Sequence, residues 1–170
     1  MEVFEAIKTR LETKEFDKRH VPAEIKREIL ESGRLAPSAM NWQHWRFVLM
    51  DQPGDLQKLA EISTTGRWIA GADFAIVVLT DPNDRFGKFD AAKAITHMQL
   101  AAWAKGIASR NYTGYDESKM RALINAPSEM ALVAVLGFGY PAKKPIGKKN
   151  RLPLDQIAFH EKYGESISKL

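Results

Sequence analysis

Across 170 residues the chain carries 25 Lys and Arg against 21 Asp and Glu, a formal charge of +4, with 45% hydrophobic residues and no cysteine. That length suits one domain over residues 1–170, burying roughly 70% of the unfolded surface, and the missing thiols exclude a disulfide scaffold, a thiolate metal site and a Cys nucleophile. The charge is modest and interleaved with acid, no apolar run approaches the ~20 residues of a membrane span, and Met1–Glu5 lacks a signal-peptide core, so a cytoplasmic protein that uses neither nucleic acid nor membrane is expected.

Val3, Phe4, Ile7 and Leu11 fall at helical spacing and predict an amphipathic helix over residues 2–11. Thr13–His20 is polar and reads as irregular. Pro22 stands where a first-turn proline belongs, and Ile25, Ile29, Leu30 and Leu35 carry a second helix to the break at Pro37. Phe47–Met50 reads as a strand, and Leu56, Leu59 and Ile62 predict a short helix after the turn at Asp51–Gly54. Gly66–Ala72 is a connection. Phe74–Leu79 is apolar at every position, the pattern of a strand covered on both faces. An Ala-rich helix over Phe89–Lys105 is apolar on nearly every side and closes on Gly106, which points to burial in the core or between subunits. Ile107–Gly114 reads as a loop, Asp116–Ile124 as a helix and Met130–Phe138 as a further strand. The Pro-, Gly- and Lys-rich tail holds one last helical patch near Leu154–Tyr163. Helices and strands mix without a βαβ repeat, so the fold class expected is α+β.

Several motifs fail on their surroundings. Gly137-Phe138-Gly139-Tyr140-Pro141-Ala142 matches GxGxxA, but Lys143-Lys144-Pro145-Ile146-Gly147 cannot open the helix whose N-terminus a pyrophosphate requires. The four histidines lack HExxH spacing, so no metal site is expected, and no GxSxG elbow is present.

Three features carry more chemistry. The segment Ala36-Pro37-Ser38-Ala39-Met40-Asn41-Trp42-Gln43-His44-Trp45-Arg46-Phe47 interleaves uncharged hydrogen-bonding groups with indoles between a helix and a strand. Such a loop suits a flat ring edged with heteroatoms, such as a flavin. Arg10 and Lys14 stand four apart near the end of the first helix, and Lys149 and Arg151 two apart near the C-terminus. A dianionic phosphate favours several convergent donors, and arginine offers it a planar fork. Each pair alone also reads as solvated surface.

The order of these features resembles the nitroreductase family of FMN enzymes. The loop fits its Pro-Ser-x-x-Asn-x-Gln pattern, with His44 where the family usually has Pro. Arg10, Lys14 and Phe16 fit its N-terminal segment, whereas Leu11 and Glu12 depart from it, and Glu12 replaces a serine. Gly139-Tyr140-Pro141 and Lys149-Asn150-Arg151 fit its closing segment, and Asp90–Gly106 its central helix. Thr65, Arg67 and the Ser109–Gly114 loop are weaker candidates for flavin contact.

The resemblance implies a three-layer α-β-α sandwich around a mostly antiparallel sheet, in an intertwined homodimer. It implies FMN as cofactor and NADH or NADPH as co-substrate, with hydride passed through the flavin to a nitroaromatic or quinone-type acceptor. The cofactor-binding residues it implies are Arg10, Leu11, Glu12, Lys14, Pro37, Ser38, Ala39, Asn41, Lys149 and Arg151. Lys14 is the one with an electrostatic role in catalysis, and no side chain serves as nucleophile or base. Other readings are a specialised relative, dehalogenating or flavin-modifying, a non-catalytic flavin carrier, and a basic nucleic-acid-binding module centred on Lys143, Lys144, Lys148, Lys149 and Arg151. The last lacks the aromatics or recognition helix such a module uses.

Overall fold

In chain order the computed structural model, which describes residues 1–167, forms α1 (Val3–Thr9), α2 (Ala23–Arg34), β1 (Arg46–Met50), α3 (Pro53–Glu61), β2 (Phe74–Thr80), α4 (Gly87–Ala104), β3 (Ala108–Tyr112), α5 (Glu117–Ile124) and β4 (Ala131–Gly139). Residues 168–170, the end of the domain expected over 1–170, lie outside the described residues. Short 3-10 turns stand at Ala39–Asn41, Arg67–Gly71 and Leu154–Gln156.

The strands form one sheet in the order β1-β2-β4-β3, antiparallel at every pairing. β2 explains its own sequence. Phe74, Ile76 and Val78 point to one side and pack with Ile29 of α2 and Ala91, Met98 and Ala102 of α4. Ala75, Val77 and Leu79 point to the other and pack with Leu56 and Leu59 of α3, Ile69, and Met120 of α5. Both faces are covered, so every position is apolar, and the result is three layers, α-β-α, as the resemblance implies. Phe74 and Phe138 stack across β2 and β4 with centroids 4.8 Å apart. Gly33 lets α2 close on α4, since a Cβ there would meet Met98 Cγ at 2.9 Å.

Three expectations are corrected. The supposed loop at Ile107–Gly114 contains β3, which pairs Ser109 with Phe138 and Tyr112 with Val135. Its polar residues are those of an edge strand, where Ala108, Ser109 and Tyr112 are buried while Asn111 faces water. The helical patch at Leu154–Tyr163 is only the turn at Leu154–Gln156, followed by irregular chain. α4 buries Ala91, Ala94, Met98 and Ala102 in the core, in line with the first of its two expected placements, and leaves Phe89 63% exposed in one copy of the chain. α1 ends at Thr9, before Leu11, and buries only Ala6. Its remaining apolar face has no cover, with Val3 71% and Phe4 75% exposed. Among the described residues no helix is long and apolar enough to cross a membrane.

Gly137, the first glycine of the rejected GxGxxA match, serves the packing of the sheet. It pairs with Ala75 and Arg110, and a Cβ there would collide with Ile69 Cδ1 and sit 2.7 Å from Trp68 Cζ3. Gly137→Ala is expected to cost about 1–3 kcal/mol through overpacking. The measurement is a urea titration, with a lower midpoint at unchanged slope; an unmoved midpoint would show that the two side chains yield freely.

Candidate functional site

Arg10 caps the C-terminus of α1 in extended geometry (φ −56°, ψ 124°), its N–H donating to Ala6 O. The chain beyond is therefore not helical, and Arg10 and Lys14 do not share a helix face. Instead the segment runs along the sheet. Glu12 forms a parallel bridge with Ser109 of β3, Phe16 an antiparallel bridge with Pro141, and the Asp17 and Ala142 N–H groups donate to Tyr140 O and Glu15 O. This stitching sets the N-terminal segment beside the residues that follow β4.

The tail then returns to α1. Lys149 Nζ donates to Ile7 O across the length of the chain. Burial pushes the Lys149 ammonium below its ordinary pKa, and the charges of Arg10 and Arg151 push it further the same way. Arg10 and Arg151 thus both lie close enough to Lys149 to repel its ammonium. Arg10 Nη1 is buried and has no hydrogen-bond partner among the described residues. Glu12 offers only partial relief: its Oε1 lies 3.9 Å from Arg10 Nη1 and its Oε2 3.9 Å from Arg110 Nε, both beyond hydrogen-bonding distance. Leu11 is partly buried next to this group. Lys14 stays outside it, exposed and without an ion pair or hydrogen bond among the described residues. Excess positive charge with an unspent guanidinium donor is the environment an anion with several oxygens completes.

The second predicted element is the loop after α2. Met40, Asn41 and Gln43 all adopt positive φ, at 49°, 58° and 53°. For non-glycine residues this conformation costs of order 1–3 kcal/mol each, least for Asn, and it persists only where the surroundings enforce it. The Gln43 N–H donates to Ser38 Oγ at 3.1 Å, closing the loop on itself. Asp90, fully buried near the start of α4, accepts from the Ala39 N–H at 2.9 Å and from Lys93 Nζ at 2.8 Å. Burial alone would raise the Asp90 pKa. The hydrogen bonds from Lys93 and Ala39, with the charges of Lys93 and His44, outweigh burial and hold it below the ordinary value. Pro37 and Asn41 are exposed, Ser38 and Ala39 half-buried.

A cleft of about 630 Å³ between α2 and this loop also carries cations. Arg34 is paired with Glu31 and Arg46 Nη1 donates to the Gln43 and Trp45 carbonyls, while Arg27 is exposed to solvent. Among the described residues, the buried guanidinium nitrogen without a hydrogen bond lies at the Arg10 cluster and not in the cleft.

One chain does not bring the two elements together. Trp103 Nε1 donates to Thr9 Oγ1 at 2.9 Å, which ties α1 to the far end of α4, while Asp90 holds the loop at the near end. Asp90 and Trp103 are about 20 Å apart along α4 at the helical rise of ~1.5 Å per residue. The structure thus gathers Arg10, Leu11, Glu12, Lys149 and Arg151 at one end and Pro37, Ser38, Ala39 and Asn41 at the other. Sequence reasoning gave no role to Asp90 or Lys93, and placed Arg110 only within the Ser109–Gly114 segment as a weaker candidate for flavin contact. The signal for Asp90 was a lone acid in a largely apolar stretch of helix; the approach of Arg110 to Glu12 carried none without its strand.

A model of the nitroreductase family matches residues 7–66, which hold the loop and the N-terminal basic segment but not Lys149 or Arg151. An Archaeoglobus fulgidus protein, provisionally named NADH dehydrogenase/NAD(P)H nitroreductase, is 32% identical over 151 residues, 82% of this chain and 86% of that one. The iodotyrosine deiodinase of Thermotoga neapolitana is 26% identical over 164 residues, 82% of this chain and 88% of that one. In fold, an FMN-dependent nitroreductase structure from Clostridium difficile superposes with a TM-score of 0.82 at 23% identity, over 91% of this chain and 96% of that one.

Asp90→Asn is expected to lower stability by about 1–3 kcal/mol at neutral pH, because buried donors lose their charged acceptor. The sign follows from a folded carboxyl pKa held below its unfolded value: the stabilisation is present above the ordinary aspartate value and is lost as pH falls through the lowered one. Thermal melts of both proteins across acid pH should therefore show the gap closing below the ordinary aspartate range. A gap that stays constant there would remove the charge from this account.

Proposed function

Because this chain belongs to the nitroreductase family, we propose that it holds FMN and uses it to pass hydride from NADH or NADPH to a nitroaromatic or quinone-type acceptor, the two half-reactions alternating at one cleft. The observation that carries the reading is the placement of Arg10 and Arg151 about Lys149, with a buried Arg10 Nη1 that has no hydrogen-bond partner among the described residues. A phosphate monoester fits this group, since it brings the charge and the acceptors that the group lacks.

In this reading Arg10, Lys149 and Arg151 hold the phosphate, and the backbone of Leu11 and Glu12 borders it. Pro37, Ser38, Ala39 and Asn41 face the ring, where the exposed Asn41 amide is free to bond its heteroatom edge. Lys14, free of any partner among the described residues, supplies positive charge towards the pyrimidine edge of the ring and so favours the reduced, anionic form. Bound there, FMN supplies the redox chemistry, and these residues orient it.

The distance of about 20 Å along α4 bears on assembly. We take the protein to be a homodimer in which the loop of one copy meets the basic cluster of the other. The uncovered apolar faces of α1 and α4 support this. A second reading, reductive dehalogenation, is favoured by the likeness to the Thermotoga deiodinase. Steady-state assays with NADH and NADPH against quinone, nitroaromatic and iodotyrosine acceptors separate the two. Flavin reduction by neither nucleotide would favour the second.

Arg10→Ala or Arg151→Ala should weaken FMN retention by about 10- to 100-fold with the fold intact, the loss of one charge-assisted contact to phosphate. Flavin content after gel filtration, alongside circular dichroism, reads this out. Full flavin occupancy in both variants would remove the phosphate assignment.

A further inference from the structure

We propose that Glu12 is a built-in competitor for the cofactor's phosphate, shared between Arg10 and Arg110, and that it sets how readily FMN is released. The inference rests on FMN binding at the Arg10 cluster. Glu12 lies 3.9 Å from each of two cations, Arg10 and Arg110, and Arg10 in turn neighbours Lys149. The bridge between Glu12 and Ser109 fixes its backbone against β3, so the carboxylate can move only by side-chain rotation. β3 in turn places Arg110 next to Ser109 and within reach of the same carboxylate.

The geometry is that of a carboxylate held in balance. At 3.9 Å from Arg10 Nη1 and 3.9 Å from Arg110 Nε, it attracts both guanidinium groups and hydrogen-bonds neither. Its side chain is 38% exposed, so its position is not locked by packing. Without a phosphate, Glu12 offsets part of the repulsion among the cations. A phosphate on Arg10 meets Glu12 as a neighbouring like charge, which lowers its affinity. Arg110 draws the carboxylate away from Arg10 and so acts as a positioning residue through Glu12. The effect concerns the phosphate and not the ring.

The test is a fluorescence-quenching titration of flavin-stripped full-length protein with FMN and, separately, with riboflavin, which lacks the phosphate. Glu12→Gln keeps the shape and removes the charge. It should lower the FMN dissociation constant about tenfold, the scale of one charge pair near 4 Å at a partly solvated site, and leave riboflavin unchanged. Arg110→Gln should weaken FMN in the wild-type background and have less effect in the Glu12→Gln background. Equal FMN affinity in wild type and Glu12→Gln, a change shared by riboflavin, or additive effects of the two substitutions would overturn the role of Glu12 while leaving the cofactor reading in place. Absence of FMN binding by every form would overturn the cofactor reading and this inference with it.

Discussion

The rigid span of α4 is the constraint on which the rest of the molecule depends. One end is fixed to the Pro-Ser loop through Asp90, the other to α1 through Trp103 and Thr9. Because the helix packs its Ala91, Ala94, Met98 and Ala102 stripe inward, neither end can shift without opening the core. The loop and the basic cluster are consequently set at a fixed separation. A flexible connection there would have let a single chain fold its two elements onto one ligand; a helix does not.

What holds each end differs in kind. At the loop end, local backbone strain at Met40 and Gln43 is offset by a buried carboxylate with two donors, a short-range and highly directional device. At the other end, like charges are forced together by strand-type pairing of Glu12 and Phe16 and by the return of Lys149 to α1. The first arrangement is satisfied within the chain. The second is not: Arg10 Nη1 is buried there without a hydrogen bond among the described residues, whereas Arg27, the unengaged arginine of the cleft beside α2, stands in solvent.

Much of the fold was legible because burial on two faces leaves an unmistakable pattern. β2 is apolar throughout, and the α2 pattern of Ile25, Ile29 and Leu30 maps directly onto the face that meets the sheet. β3 was not legible, since an edge strand tolerates Arg110 and Asn111 and so breaks the alternation that marks a strand. The end of α1 was misjudged for a similar reason: Leu11 continues the helical spacing, but Arg10 is already extended to enter the bridge at Glu12. For the site, the residue types at positions 10, 149 and 151 were readable, and their convergence was not, because it is made by tertiary pairing over most of the sequence. Asp90 was hidden inside a helix whose composition suggested only packing.

The bare apolar face of α1 has a thermodynamic consequence under the proposed two-copy site. If Phe4 and Val3 are covered only by another chain, then assembly and cofactor occupancy are linked equilibria, each strengthening the other by mass action. Dilution would drain flavin from the protein even at constant total FMN, and saturating flavin would hold the chains together at concentrations where the stripped protein falls apart. The helix that looks least finished in the isolated chain would then be the element through which cellular abundance regulates the fraction of protein that is loaded.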